Sequence, residues 1–282
     1  MSANKSAAVL VVAIAAAVSA IVGSAQGQLP LEPIKDRGQA ITPAYEGWYR
    51  NQDGSFTLLI GYFNRNRAET LDIPIGPNNK VDPGNPDQGQ PTHFQTRRQW
   101  GVFTIVVPKD FGSKKVTWTI VSNGETTSIP MGLQQNYEIQ PFKDPAMGNT
   151  PPVLRFQSNG APLTGPPTGI AATFKAVAGE PADLSFWATD DAHVEPGARV
   201  RSGPPVTVSL SKYRGPGNVT FSNARPAVAI AEGGKVSTTA TFSEPGDYII
   251  RTQANDSSGD GGGGFQCCWS NAHVKVTVAR SR

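Results

Sequence analysis

The stretch Thr239-Ala-Thr-Phe-Ser-Glu-Pro-Gly-Asp-Tyr-Ile-Ile-Arg-Thr-Gln-Ala-Asn-Asp256 decides the fold class of this chain. Alternating apolar and polar residues flank the turn Glu244-Pro-Gly-Asp247. Alternation with a period of two is typical of strands that bury one face, and Pro and Gly suit tight turns rather than strand interiors. The stretch therefore predicts a β-hairpin whose second strand begins near Tyr248.

The same pattern continues across the second half of the chain. About seven short strands over roughly 130 residues, separated by turn signals, are typical of an immunoglobulin-like β-sandwich. Pro152–Phe156 is a further candidate for a first strand, and Tyr248 stands where a tyrosine corner is expected. The strand candidates are Gly169–Ala176, Ala182–Ala188, Val206–Lys212, Asn218–Phe221, Lys235–Phe242, Tyr248–Ala254 and Ala272–Ala279.

The first half also reads as strands and turns. Tyr45–Arg50 and Ser55–Phe63 flank Asp53-Gly54, and 115–121 pairs with 125–129 across Asn123-Gly124. Asp-Gly and Asn-Gly are strong hairpin signals because their residues accept a positive φ. Further strands are expected at 69–75, at 100–107 and at 137–140, and residues 76–91 are expected to form a long loop.

These patterns predict an all-β chain with two immunoglobulin-like β-sandwich domains in tandem. Segment 141–169 is rich in Pro and Gly, so we place the boundary near Asn149, with domains at 45–142 and 150–280 and an extended lead-in at 26–44. After the N-terminal apolar run no segment has a helical period, which excludes folds that alternate strands with helices.

The N-terminus predicts export. A short basic region at Lys5 precedes an apolar run from Ala7 to Val22, and Gly23-Ser-Ala25 offers small residues for cleavage. This pattern predicts a signal peptide over residues 1–25, cut after Ala25, and a secreted, periplasmic or cell-surface protein. A retained N-terminal anchor is the alternative. No second apolar stretch of spanning length follows, so we expect no membrane span in the mature chain.

Composition narrows the classes of partner. The chain has 282 residues, 25 Lys and Arg against 22 Asp and Glu, and a net charge of +3. Because its positive charge is not concentrated in a run, we expect no nucleic-acid partner. Motifs of common hydrolases and of phosphate-binding loops are absent from the sequence, so no catalytic residues and no organic cofactor are predicted.

Part of the second half resembles a known family. Ala178-Gly-Glu-Pro181, Leu184-Ser-Phe-Trp-Ala-Thr-Asp-Asp191, the stretch 211–221 and the opening hairpin are similar to bacterial PKD-like and cadherin-like immunoglobulin-fold repeats. The resemblance covers about residues 150–280 and implies the fold. It is nearly silent on function, because such modules occur in adhesins, enzymes and surface proteins alike.

Carboxylates at two strand ends form a candidate metal site. Asp190 and Asp191 follow one predicted strand, and Asp256 and Asp260 follow another. If both strands end at one pole of the sandwich, these oxygens suit calcium, which takes six to eight oxygen ligands. The alternative is turn chemistry, since Asp side chains also cap turns.

Cys267 and Cys268 are adjacent and are the chain's two cysteines. In an oxidising compartment they can form a vicinal disulfide after the Gly-rich stretch 259–264. Two alternatives are a pair of reduced thiols, one buried beside Trp269, and an intermolecular disulfide or a metal site.

Aromatic residues of the first half are a candidate ligand platform. Trp48, Tyr49 and Trp100 can form a flat surface for sugars, whereas aromatics at alternating strand positions are otherwise core residues. The leading interpretation is an exported, non-enzymatic protein for binding, adhesion or surface structure, with a protein or polysaccharide surface as partner. The alternatives are a carbohydrate-binding accessory module and an enzyme without a recognisable motif.

Overall fold

The computed structural model describes residues 35–145, 148–193, 203–256 and 267–281. The predicted signal peptide, the lead-in up to residue 34, Asp260 and the Gly-rich stretch 259–264 lie outside these ranges. The described residues from Lys35 onward belong to one compact unit. In the described part of the chain, no helix is long and apolar enough to cross a membrane.

The first sandwich consists of two three-stranded sheets and a small two-stranded ladder. The sheets have the orders β1-β2-β6 and β4-β7-β8, all antiparallel, and β3 pairs with β5. A short 3-10 helix spans Gln135–Tyr137. The strands are β1 (Ile41–Arg50), β2 (Phe56–Asn64), β3 (Leu71–Asp72), β4 (Asn79–Asp82), β5 (His93–Phe94), β6 (Arg97–Val107), β7 (Val116–Ser122) and β8 (Glu125–Met131).

Both predicted hairpins of this half are confirmed. β1 pairs with β2 around Gly54, whose φ is +85°, and β7 pairs with β8 around Asn123 and Gly124, at +47° and +80°. Positive φ at both central residues is what a tight primed hairpin turn requires, and Asn123-Gly124 meets this condition, whereas of Asp53 and Gly54 only the glycine has a positive φ. The local prediction held because the turn residues alone determine this geometry.

The prediction of a long loop over 76–91 was wrong in part, because β4 lies within it. Asn79 is fully buried, and its Nδ2 donates to the carbonyls of Ile73 (2.9 Å) and Pro91 (2.8 Å). Its Oδ1 accepts from Trp118 Nε1 at 3.0 Å. A buried amide is stable when its donors and acceptor are all satisfied, so the Asn79 side chain supports the main-chain pairing of β4 with β7.

The second sandwich has two four-stranded sheets. Their orders are β9-β11-β14-β13 and β10-β16-β15-β12, with β10 parallel to β16 and the other pairs antiparallel. Another 3-10 helix spans Ile230–Glu232. The strands are β9 (Val153–Arg155), β10 (Ile170–Val177), β11 (Pro181–Thr189), β12 (Val206–Arg214), β13 (Val219–Phe221), β14 (Lys235–Phe242), β15 (Gly246–Asp256) and β16 (Trp269–Ala279).

This strand order confirms the immunoglobulin-like fold class. The sheet β9-β11-β14-β13 corresponds to the A-B-E-D sheet of such domains, and β12-β15-β16 corresponds to C-F-G. The opening stretch forms β14 and β15, which lie in different sheets and pair with different neighbours. The prediction that they pair as a hairpin was therefore wrong, although both strands and the turn between them are present. A turn between sheets carries the same Pro and Gly residues as a hairpin turn.

Tyr248 is the tyrosine corner predicted from its place at the start of β15. Its hydroxyl donates to the Glu244 carbonyl at 2.9 Å and accepts from the Gly217 amide at 3.0 Å. The ring is fully buried and lies against Gly215, where a Cβ would overlap it. The corner thus ties β15 to the segment that follows β12.

Each sandwich has its own hydrophobic core. One buried cluster includes Leu58, Phe103 and Trp118 of the first sandwich, and another includes Phe186 and Val236 of the second. Tyr213 of β12 packs into the first cluster although its strand belongs to the second sandwich. The predicted domain limits, 45–142 and 150–280, stay predictions.

Candidate functional site

The main candidate site is the seam, which we define as the contact of β6 with β15 and β16. Arg251 of β15 is 4% exposed and lies at its centre. Its Nη1 donates to Gln99 Oε1 at 2.7 Å, its Nη2 to the Trp100 carbonyl at 2.6 Å, and its Nε to Asn271 Oδ1 at 3.0 Å. One guanidinium therefore contacts both sandwiches through three hydrogen bonds.

Two side chains of β16 bind the main chain of β6. Asn271 Nδ2 donates to the Gly101 carbonyl at 3.0 Å, and His273 Nε2 lies 3.0 Å from the Val102 carbonyl. Because a carbonyl only accepts, His273 must carry its proton on Nε2. Burial, with Arg251 nearby, lowers the pKa of His273 to about 3, so the ring is neutral. The Tyr213 ring packs 4.2 Å from it.

At Gly101 the two sandwiches approach each other closely. Its φ is +51°, and a Cβ there would overlap the Trp269 ring. Only glycine has both the conformational freedom and the missing side chain that this position requires. The apolar run at 100–107 predicted β6 from sequence. It did not indicate that Gly101 within this strand packs against the Trp269 indole of the other sandwich.

A buried carboxylate lies directly beside this glycine. Glu46 accepts from the Gly101 amide (2.8 Å) and from Arg98 Nη2 (2.8 Å). Burial raises the pKa of Glu46 to about 7, although Arg98, the Gly101 hydrogen bond and Arg251 all act to lower it. A carboxyl group with a pKa near neutral therefore lies directly against the seam.

Charged side chains of β12 make a second set of contacts with the first sandwich. Lys212 Nζ lies 3.1 Å from Asp72 Oδ1, and His93 Nδ1 lies 2.9 Å from the same oxygen. Both side chains lower the pKa of Asp72, with the His93 hydrogen bond as the largest cause. Arg214 holds Asp87 with two nitrogens, at 3.0 and 2.8 Å. The two sandwiches are thus joined by ion pairs as well as by neutral hydrogen bonds.

Three of the predicted aspartates, Asp190, Asp191 and Asp256, lie at one pole of the second sandwich. Asp256 is buried and accepts from Asn149 Nδ2, and Asp191 Oδ2 lies 3.2 Å from Thr150 Oγ1. Burial raises the pKa of Asp190 to about 6, and the neighbouring Asp256 and Asp191 raise it further. The structure therefore brings the first three of these aspartates into electrostatic contact.

Calcium at this pole stays a prediction. Within the described ranges, no group of three or more His, Cys, Asp and Glu side chains is arranged to hold a metal ion. The fourth predicted ligand, Asp260, lies outside those ranges. Asp190 and Asp191 each accept an amide hydrogen bond from the turn after them, at Ala192 and His193, which is the alternative that the sequence already offered.

Cys267 and Cys268 are joined by a disulfide, and both are buried. The Cys267 Sγ lies 3.8 Å from the Asn149 carbonyl, and the Cys268 carbonyl accepts from the Asp256 amide at 3.3 Å. The pair therefore lies between the aspartate pole and Trp269, the first residue of β16.

The structure does not form the predicted aromatic platform. Trp48 and Tyr49 are only 5% and 7% exposed. Trp48 packs in the first core, and its Nε1 donates to the Gln134 carbonyl. Trp100 is half-buried, and the Arg98 guanidinium lies 3.8 Å from its ring centroid. A sugar needs an exposed ring face, so this correction removes the basis of the carbohydrate-binding alternative.

Sequence reasoning missed the residues that make the seam. Glu46, Arg251 and Asn271 carry no motif, and their partners are largely main-chain atoms. A signal was available in β16, where Ser270, Asn271 and His273 lie in the half of the strand that is buried on both faces. Polar residues in a strand that is buried on both faces indicate a polar contact surface rather than a lipid-like core.

No protein-family model matches the chain, and neither does any curated protein. Similar solved structures include tandem immunoglobulin domains of titin, at 10% identity over 86% of this chain and 100% of that chain, with a TM-score of 0.24. A segment of intimin has 12% identity over 84% and 100%, with a TM-score of 0.25. The adhesin InvE of Yersinia pseudotuberculosis has 10% identity over 85% and 58%, with a TM-score of 0.24. At such scores these similarities carry no argument, and the immunoglobulin-like assignment rests on the strand order of this chain itself.

Proposed function

We propose that this chain is an exported, non-enzymatic surface or structural protein, of the adhesion or binding type, whose two sandwiches act as one rigid body. The observation that carries the proposal is the Arg251 contact, in which a buried guanidinium on one sandwich donates to Gln99 and to the Trp100 carbonyl on the other. A flexible tandem needs no such contact, because a mobile linker leaves facing surfaces solvated.

The energetics favour a fixed arrangement. Separating the two sandwiches would leave the Trp100, Gly101 and Val102 carbonyls without their side-chain donors. Each hydrogen bond is worth about 1 kcal/mol net, and more where a charged group takes part. Because hydrogen bonds are directional, the seam restricts rotation of one sandwich against the other as well as their separation.

The non-enzymatic part of the proposal is supported by what the histidines do. His273 is buried and bonded to the main chain of β6, and His93 is paired with Asp72. A general base needs a ring nitrogen that reaches a substrate, whereas the His273 ring bonds the other sandwich and the His93 ring bonds Asp72 within its own. A protein or polysaccharide surface is the partner class that suits a rigid pair of sandwiches with exposed loops at their ends.

Residual dipolar couplings test the rigid-body part. In the wild-type protein, amide couplings of both sandwiches should fit a single alignment tensor. Arg251→Ala removes the three donors and should produce two separate tensors, whereas Arg225→Ala removes an exposed arginine outside the seam and should leave one. Two tensors in the wild-type protein would refute the rigid body.

Export is tested separately in cells that produce the full chain with a C-terminal tag. We expect the mature protein outside the cytoplasm with Gln26 as its first residue, and a variant without residues 7–22 should stay inside. An unprocessed cytoplasmic wild-type protein would contradict the surface function while leaving the rigid seam intact.

A further inference from the structure

The segment that begins β16 combines a disulfide with the central side chain of the seam. Cys267 and Cys268 are bonded to each other, and Trp269 follows directly. Cys268 is 1% exposed and Trp269 is 0% exposed. The backbone that carries the indole is therefore closed into a small ring immediately before it.

Trp269 connects this ring to the first sandwich. Three atoms of its six-membered ring lie where a Cβ on Gly101 would be, so the indole packs directly on the Gly101 main chain. The Gly101 amide donates to Glu46 Oε2 on its other side. A continuous set of contacts thus runs from the disulfide through Trp269 and Gly101 to Glu46.

The chain is anchored on both sides of the indole. The Asp256 amide donates to the Cys268 carbonyl before it. After it, Ser270 Oγ accepts from the Gly165 amide at 2.8 Å and donates to the Pro152 carbonyl. Ser270 is held by hydrogen bonds to the second sandwich and Trp269 pairs with Asn255 of β15, and the disulfide adds a covalent restraint to the residues just before the indole.

We propose that the Cys267–Cys268 disulfide is a redox latch, which holds Trp269 against Gly101 and thereby makes the docking of the two sandwiches depend on the oxidation state. A dithiol reductant opens the latch. The sulfur–sulfur bond accepts two electrons and two protons and becomes two thiols, and the dithiol becomes a cyclic disulfide. The backbone at 267–268 is then no longer closed into a ring, and the Trp269 indole is held less firmly against Gly101.

The latch has a direction that suits a protein leaving a reducing cytoplasm for an oxidising compartment. Before export both thiols are reduced and the seam is loose, and after export the disulfide forms and the two sandwiches become one body. This direction rests on the export in the proposed function, whereas the contact between Trp269 and Gly101 is present whatever the compartment.

Amide hydrogen exchange of the full folded chain tests the latch in three forms: oxidised wild type, wild type reduced with dithiothreitol, and Cys267→Ser/Cys268→Ser. Exchange of the Gly101 amide should be about tenfold faster in the last two forms, which corresponds to about 1.4 kcal/mol. Amides of Trp118 in β7 and Val236 in β14 should not change, because they lie in the two cores. Equal Gly101 exchange in all three forms would overturn the latch.

Further measurements keep the result interpretable. Intact mass after alkylation without reductant should show no added group on the oxidised chain, and two added groups would refute the disulfide on which the latch depends. The double serine variant shows the open form even where dithiothreitol reaches the buried bond slowly, and its exchange should not respond to the reductant. A parallel rise at Trp118 and Val236 would show that the disulfide stabilises the whole fold, which also overturns a latch specific to the seam.

Discussion

Two buried groups at the seam should give the stability of this protein opposite dependences on pH. Glu46 has a pKa raised from 4.5 to about 7, and His273 has one lowered from 6.5 to about 3. A group whose pKa is higher in the folded than in the unfolded protein stabilises the fold at pH values below its unfolded pKa. This stabilisation is lost as the pH rises through its folded pKa. Glu46 therefore destabilises the fold as pH rises from 4.5 to 7. Stability from a lowered pKa is present above the unfolded value, so His273 destabilises the fold as pH falls from 6.5 towards 3.

The magnitudes follow from the two shifts. One pKa unit corresponds to about 1.4 kcal/mol, so the Glu46 effect amounts to about 3 kcal/mol and the His273 effect to about 5 kcal/mol. Between pH 4.5 and 6.5 the two slopes have opposite signs, and in the wild-type protein they offset each other. Substituting either residue should expose the slope of the other.

Urea unfolding of wild type, Glu46→Gln and His273→Gln from pH 4.5 to 7 measures these slopes. Both substitutions keep a group able to bond the same partner and remove the titration. The free energy of unfolding of wild type minus that of Glu46→Gln should fall by about 3 kcal/mol across this range. Wild type minus His273→Gln should instead rise with pH. Differences that stay constant with pH would show that these groups are solvated and that the seam is not closed.

Three other substitutions or conditions have defined outcomes. Gly101→Ala should lower the free energy of unfolding by about 3 kcal/mol, from backbone strain at positive φ plus overlap with Trp269, and a neutral result in thermal or urea unfolding would contradict the close approach. Tyr248→Phe should cost about 1–2 kcal/mol because the hydroxyl no longer bonds Glu244 and Gly217, and a loss below 0.5 kcal/mol in the same assay would contradict the corner. If the aspartates at the pole bind calcium, EGTA lowers the melting temperature, and an unchanged value removes the calcium prediction.

The turns and most strands of this chain could be predicted from its sequence. Asn123-Gly124 and Asp53-Gly54 located two hairpins, because the conformations of these residues are determined within the turn itself. In the second sandwich, the strand candidates matched β10 to β16 to within a few residues, since alternation reflects one buried face. The alternation within a strand does not indicate which other strand it pairs with. For this reason the opening stretch was correctly divided into strands but wrongly paired.

Features that depend on contacts with residues distant in the sequence could not be predicted. Within β4, Asn79 satisfies two carbonyls and the indole of Trp118, and a run of Pro, Gly, Asn and Asp does not indicate that arrangement. Trp48 and Tyr49 failed as a platform for a related reason. Alternation shows that two residues face opposite sides of a strand, but it does not show that both sides are covered.

The contacts at the seam explain why the packing of the two sandwiches could not be predicted from the sequence. They also explain why this packing is specific. An apolar interface tolerates sliding, because burial depends on area and not on direction. Here Arg251, Asn271 and His273 bind carbonyls of consecutive residues in β6, so a shift by one residue would break all three contacts together. Main-chain acceptors are the same in every sequence, and the specificity therefore resides in three scattered side chains and in the glycine that admits Trp269. Polar residues inside a strand that is otherwise apolar are the feature from which such a contact can be suspected in advance.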